Sequence, residues 1–482
     1  MSKEFKGKFI TDPVHGLIEL NHFELLIINL RVFQRMRRIL QTQGVSNVYP
    51  CSVHTRFAHS LGVLHIANQY CDALNILPRK RAILRLAGLL HDVGHGIFSH
   101  LYDSVVYKLV PEFKKKYEEE GEISGHDLQK ERIVKEHLPA KVFEKFNTMN
   151  EHDQQKILTS LYDCDILKNG EKLNEVKLTE LFEEINEVWK VGDSINFNII
   201  QGPLGADRID FLLRDSYFSG NPFSGKIDYE RIIKHCSIRK DEETQREVLC
   251  YSLKVFNSII SFLVNKFLMY NTVAYHKTGR AADVMVREIL KASMGDLDLV
   301  ERTRDLNRFE QLDESCFFAE VQQSEDVSDR AKMLLNDLLD RNLFKAIKEK
   351  AVPFLEQLSS YIQEKSMKES AKEEVKRLKE KYKEHYNEEV ELFVDTPYEL
   401  RFLNIKELEN VKVYAPIKGV ISFNEAKTDL GFDPFDLQVV RLYRIYSSSK
   451  NRDKFQEAGI IPRMDGLGEM TYEKEPPVDT RH

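Results

Sequence analysis

The sequence contains no stretch approaching the roughly 18 consecutive apolar residues that a membrane-spanning helix needs; its longest candidates, such as 259–268, are broken by polar side chains. No membrane partner is therefore expected. The first residues, MSKEFKGKF, are charged and lack an apolar signal core, so secretion is not expected either. There is no CxxC pair: Cys51, Cys71, Cys164, Cys236, Cys250 and Cys316 are scattered. That excludes a disulfide framework and a Cys-rich zinc module, and fits free thiols in a cytoplasmic protein. There is no positive excess, with 70 Lys and Arg against 77 Asp and Glu. Extended nucleic-acid binding is disfavoured, while a local basic pocket for phosphates stays open. No internal repeat is visible.

What is present reads as ordinary globular protein. Hydrophobic residues make up 42% and charged residues 30% of 482, a length for which two lobes are the natural expectation. The opening FITDPVHGLIEL alternates and carries Pro13 and Gly16, which suggests a short hairpin. From Asn21 the apolar spacing turns helical through Ile39. Further helices are expected at about 56–76, 79–92, 126–137, 151–167, 197–217, 254–275 and 278–294. Residues 114–125 read as a charged loop, 168–190 as an inserted hairpin and helix, and 237–254 as a two-stranded hairpin. A highly charged helix, solvated on most faces, is expected at 366–389. Strands follow at 390–395 and 411–423, then a helix near 434–447 and a loosely ordered tail from Gly466. The expected fold is mainly α: a helical catalytic core over 1–345 and a smaller mixed α/β lobe over 346–482.

The chemistry concentrates in RLAGLLHDVGHGIFSH, residues 85–100. An apolar helical run ends in His91-Asp92, and Gly94 and Gly96 then break it, with His95 and His100 close behind. His-Asp also occurs at 126–127 and 152–153, but only the first pair ends a buried-looking helix. A charged pair there is costly unless something compensates, and a metal cation does so. Imidazole and carboxylate together suit Mn, Fe, Zn or Co rather than Ca. Adjacent helical residues point about 100° apart, so other ligands must come from elsewhere. HTRFAHSLGV offers His59, and GADRIDFLLRD offers Asp207 and Asp210 among apolar residues.

The spacing His59…His91-Asp92…Asp207 resembles the signature of the HD superfamily, a helical phosphohydrolase fold. DPVHG, FQRMR, HTRFAHSLGV, LLHDVGHGIFSH and DRIDFLLRD are similar, in order, to blocks of the deoxynucleoside triphosphate triphosphohydrolases. They look most like the SAM-and-HD-domain branch and its bacterial relatives, across roughly residues 8–295. The HD blocks begin close to Met1, so no SAM module is expected. HD cyclic-dinucleotide esterases usually carry Lys where this chain has His95, and no GYP triplet is present.

The resemblance implies metal ligands at His59, His91, Asp92 and Asp207. It implies a phosphate-contacting arginine at Arg56, a histidine beside the scissile phosphate at His95, and a His–carboxylate acid pair at His126 and Asp103. His100, Arg208, Lys277 and Arg280 fall on substrate-binding positions, and the resemblance implies Mg with the substrate phosphates. Departures fall on positions that read substrate: Arg208 stands where the branch has Lys, and Phe211 where it has a phosphate-contacting Tyr. The sugar-packing Tyr falls near Ala274 or Tyr275. In the guanine-reading regulatory site Gln34 and Arg37 fit, but Asn29 and Arg31 replace the expected Asp and Pro, and asparagine offers only one acceptor and a donor. The implied reaction converts a dNTP to deoxynucleoside and triphosphate, in a homo-oligomer (dimer or tetramer). The rival readings are an HD phosphohydrolase acting on another nucleotide or phosphoester, and a nucleotide-sensing protein with little turnover.

Overall fold

The computed structural model describes residues 7–120, 124–190, 194–221, 227–353, 360–396, 411–430 and 440–462. Among them no helix is long and apolar enough to cross a membrane. The fold is mainly α. Two compact units divide the chain, one within 1–343 and 399–440 and the other within 344–398 and 441–482.

The first unit opens with the expected hairpin, Gly7–Asp12 paired antiparallel with Gly16–Asn21. Asn21 caps the helix His22–Ile28: its side chain accepts the Glu24 N–H while its own N–H donates to Glu24, both at 2.9 Å. This reciprocal cap satisfies two otherwise orphaned donors. The helical spacing read through Ile39 breaks at Asn29, and a short turn at Arg31–Gln34 and a 3₁₀ turn at Arg35–Arg38 follow.

The helix Arg56–Ala73 runs through the middle of this unit, with His59, Leu61, Val63, Leu64, Ile66 and Tyr70 among its buried residues. It packs against Pro78–Leu90 on one side and Ala206–Ser219 on another. Gly62 makes the second contact possible: a Cβ there would lie 1.8 Å from Asp210 Oδ1. Pro78 opens the second helix at a position where its missing N–H costs nothing. The Asp207 helix ends on Gly220 at φ 65°, a conformation glycine adopts freely.

Several local expectations need correction. Residues 111–120 form a helix, Pro111–Glu120, not a charged loop; Pro111 starts it and Phe113 is buried. The segment 168–190 contributes the helix Glu175–Glu187, with no strand among its described residues. The long span 197–217 is two helices, Ile195–Ile200 and Ala206–Ser219, because Gly202, Pro203 and Gly205 interrupt it. Residues 440–447 are a strand rather than a helix, with Tyr443, Ile445 and Tyr446 supplying the aromatic and β-branched side chains that strands favour; residues 434–439 lie outside the described residues. The tail from Gly466 lies outside the described residues.

The hairpin Cys236–Lys240 and Glu247–Ser252 forms as expected. Lys412–Ala415 then pairs in parallel with its second strand, and Gly419–Ser422 completes the sheet. Residues 412–422, expected in the C-terminal lobe, therefore belong to the first unit. The second unit holds the helix Ser360–Tyr386 and a three-stranded sheet ordered 345–353, 440–447 and 393–395. Although highly charged, that helix buries Met367, Ala371, Leu378 and Tyr382 against Tyr443, Ile445 and Phe455, so one face is core rather than solvated.

Candidate metal centre and active site

His59 lies one turn into its helix, which Thr55 caps by accepting the Ala58 N–H. His91 terminates the helix Pro78–Leu90, and tight turns (Val93 N–H to Leu90 O, His95 N–H to Asp92 O) follow at once. Asp207 sits in the first turn of its helix, where free N–H groups favour a carboxylate. Three separated segments thus meet at one point.

The Nε2 atoms of His59 and His91 lie 3.2 Å apart. Asp207 Oδ1 is 3.1 Å from the first and 3.6 Å from the second. Asp92 stands 3.3 Å from His91 Nε2 through Oδ1 and 3.8 Å from His59 Nε2 through Oδ2. Both histidines, Asp92 and its turn are buried, while the Asp207 side chain is 28% exposed and forms the open side.

The donor set fits a cation. His91 Nδ1 is 2.8 Å from the Gly88 carbonyl, which can only accept, so this nitrogen carries the proton of a neutral imidazole. His59 Nδ1 is 2.6 Å from Asp210 Oδ2, so this nitrogen carries a proton as well. With Nδ1 of both rings so engaged, the two Nε2 atoms, 3.2 Å apart beside carboxylate oxygens, are left to share one cation. A proton on His59 Nε2 can take the cation's place: burial opposes charge there, yet hydrogen bonds to Asp207 and Asp210 raise the His59 pKa to about 10. The centre attracts positive charge. His59, His91 and Asp207 could hold a metal ion, with Asp92 at its edge.

A second cluster adjoins the first. His95 stacks on His126 with ring centroids 3.9 Å apart. His126 Nδ1 is 2.8 Å from Asp103 Oδ2, and its backbone N–H donates to Asp103 Oδ1 at 2.9 Å. Against the cost of burial, the Asp103 carboxylate raises the His126 pKa. His95 is held well below the usual histidine range by burial and by the charges of Arg56 and His126. Gly94 permits the juxtaposition: a Cβ there would lie 2.1 Å from the His126 carbonyl oxygen. His95 Nε2 is 3.3 Å from Asp92 Oδ1, which links the two clusters.

Arg56 donates to Asp92 at 2.5 Å and to Ser99 Oγ at 2.7 Å. Ser99 and Phe98 both have positive φ, 51° and 55°, and strain of this kind costs on the order of 1–3 kcal/mol per residue. Glu314, reached only through the tertiary fold, holds this turn by accepting the N–H groups of Phe98 and Leu40. Arg35, fully buried, donates to the carbonyls of His95 (2.5 Å), Val93 and Leu312 (both 3.2 Å). Burial lowers its pKa to about 10.

His100 is exposed, 3.5 Å from Asp103. Arg208 follows Asp207 directly, and Phe211 lies edge-on to Tyr270. Lys277 and Arg280 open the helix Lys277–Ser293, where Arg280 pairs with Asp283 at 3.1 Å. Gln34 and Arg37 meet each other at 2.9 Å, and the Arg37 guanidinium covers the Phe57 ring at 3.6 Å. Sequence reasoning missed Arg35, Glu314 and His15, whose partners lie far along the chain. It offered Asp210 with Asp207 as a candidate ligand; the structure instead sets Asp210 against His59 Nδ1, at 2.6 Å.

Residues 56–178 match the HD domain model and residues 227–412 the model of the HD associated region. The chain thus carries an HD domain together with an HD associated region. Among its relatives is the deoxynucleoside triphosphate triphosphohydrolase SAMHD1 homolog of Dictyostelium discoideum, 25% identical over 72% of this chain and 61% of that protein. Human SAMHD1 is 27% identical over 71% of this chain and 55% of its own length. An uncharacterized protein of Methanocaldococcus jannaschii is 29% identical over 70% and 59%. The chain spans about six-tenths of the length of these relatives. The fold is shared with a hypothetical protein from Aquifex aeolicus (TM-score 0.62, 23% identity, 94% of this chain and 99% of that one). A phosphohydrolase from Bacteroides thetaiotaomicron shares it also (TM-score 0.60, 20% identity, 92% and 100%).

Proposed function

We propose that the chain hydrolyses deoxynucleoside triphosphates to deoxynucleoside and inorganic triphosphate. One observation carries the reading: the carboxylate-held imidazole of His126 lies against His95, which in turn touches the metal-ligand residue Asp92. Cation site and proton donor thus flank one space.

A divalent ion (Mn, Fe, Zn or Co) held by His59, His91, Asp92 and Asp207 would supply Lewis acidity toward a phosphoryl oxygen and lower the pKa of water. Arg56 brings a planar guanidinium to the same phosphate and spreads developing charge. His126, charged with the help of Asp103, delivers its proton to the departing 5′ oxygen. Neutral His95 orders the two neighbours without adding repulsion. Arg208, Lys277, Arg280 and His100 are assigned to the outer phosphates, where Mg would accompany them. Gln34 and Arg37 are kept as half of a regulatory nucleotide site. A homo-oligomer is part of this reading, as is a cytoplasmic location.

Incubating Mn-loaded protein with each dNTP and NTP, and separating products by anion exchange, tests it. Triphosphate release that Asp207→Ala abolishes supports the proposal. Diphosphate with orthophosphate, or turnover of other esters alone, would favour an HD phosphohydrolase of different substrate. Tight nucleotide binding without turnover would favour a sensor.

A further inference from the structure

Asp210 is fully buried yet ligates nothing in the proposed chemistry. Its two oxygens accept four hydrogen bonds. His59 Nδ1 lies 2.6 Å from Oδ2 and His15 Nε2 2.5 Å from Oδ1. Arg214 adds Nε at 2.9 Å to Oδ2 and Nη2 at 3.0 Å to Oδ1. Arg214 turns its Nη1 to Asp12 Oδ2 at 2.8 Å. Asp12 uses Oδ1 to accept the N–H groups of Val14 and His15, both at 2.9 Å, and so shapes the turn that presents His15. The circuit closes on itself: Asp12, Arg214, Asp210, His15 and back through the hairpin turn. Its long contacts span 195 and 202 residues of sequence.

We propose that the N-terminal hairpin completes the metal centre, with Asp210 as the positioning carboxylate that fixes the tautomer and direction of His59, and His15 and Arg214 holding Asp210 in place. This rests on the metal reading of His59, His91, Asp92 and Asp207. A buried ionic network of this kind adds little stability over well-packed apolar side chains, whereas orienting a ligating imidazole through its second nitrogen is what such a carboxylate does well. The bare Cα of Gly62 reserves the space for it. The hairpin thereby acts on the ion from two residues away, without ligating it.

The test uses full-length, metal-stripped protein titrated with Co(II) against a competing chelator, with the visible d–d band as the signature of ligand geometry. Circular dichroism checks folding of each variant. Asp210→Asn strands part of Arg214 and can fail to fold, so His15→Ala and His15→Gln carry the test, with Asp207→Ala as control. His15→Ala should weaken Co(II) binding about 10- to 100-fold and shift the band, and His15→Gln, which returns an N–H donor near the Nε2 position, should recover most of both. Wild-type affinity and an unaltered band in folded His15→Ala would overturn the inference. So would equal losses in the Ala and Gln variants, which would assign the effect to ring packing. If wild type bound no Co(II) that Asp207→Ala removes, the metal reading itself would fall, and this inference with it.

Discussion

Replacing Glu314 with glutamine should change the pH dependence of stability in a way that can be calculated. Glu314 is buried at 7% exposure and accepts the N–H groups of Leu40 at 3.1 Å and Phe98 at 3.2 Å. Burial raises its pKa from 4.5 to about 7, against the opposing pull of those bonds and of Arg56. An acid whose pKa is higher in the folded state binds its proton more tightly there. Its contribution is therefore complete below the unfolded value and lost as pH rises through 7. At 1.36 kcal/mol per pKa unit, a rise of about 2.5 units amounts to on the order of 3 kcal/mol, most of it lost between pH 5 and pH 8. Glutamine keeps the acceptor oxygen and cannot ionise. The midpoints of urea unfolding for wild type and Glu314→Gln should thus diverge with pH, the variant gaining about 2–3 kcal/mol on wild type between pH 5 and 8. Taking the difference cancels every other titration common to both proteins. A difference that stays constant across that range would refute the reasoning.

Other expectations follow from single contacts. Gly62→Ala puts a methyl 1.8 Å from Asp210 Oδ1 and 2.6 Å from Arg214 Nη2, both held rigidly. It should cost about 1–3 kcal/mol of stability, read as a lowered denaturation midpoint; a wild-type midpoint would contradict the packing described. His126→Ala should lower kcat by about 10²- to 10⁴-fold with metal content unchanged, since His126 contacts Asp103 and His95 rather than the ligand cluster. Loss of metal in that variant would show that the two clusters are one site. Asp103→Asn should act in the same direction through His126.

The candidate ligands were legible because they are written in local pattern. His91-Asp92 ends an apolar helix, and His59 and Asp207 sit in blocks whose order resembles a known family; the structure brings all four within one cluster. The supporting shell was not legible. Asp210 stood beside Asp207 as a possible ligand in DRIDFLLRD, with no sign that it would instead accept from His59, and nothing near His15 in sequence predicts a partner 195 residues away. Glu314 lies outside every motif, yet its carboxylate closes the turn at Phe98. The errors in secondary structure have local causes. Lys114–Lys116 and Glu118–Glu120 suggested a loop by charge, but these residues favour helix well enough once Pro111 starts one and Phe113 anchors it. Residues 440–447 are rich in aromatic and β-branched side chains (Val440, Tyr443, Ile445 and Tyr446), which outweigh the helical reading drawn across 434–447. The parallel pairing of 412–415 with 250–252 depends on a long-range register that no local pattern encodes.

In the proposed reaction water attacks the phosphorus next to the sugar while His126 protonates the 5′ oxygen. Turnover of a dNTP by Mn-loaded protein in ¹⁸O-enriched water, with both products weighed by mass spectrometry, tests it most directly. Attack at that phosphorus puts one ¹⁸O in the triphosphate and none in the deoxynucleoside. Label in the deoxynucleoside, or release of labelled orthophosphate in place of triphosphate, would contradict it.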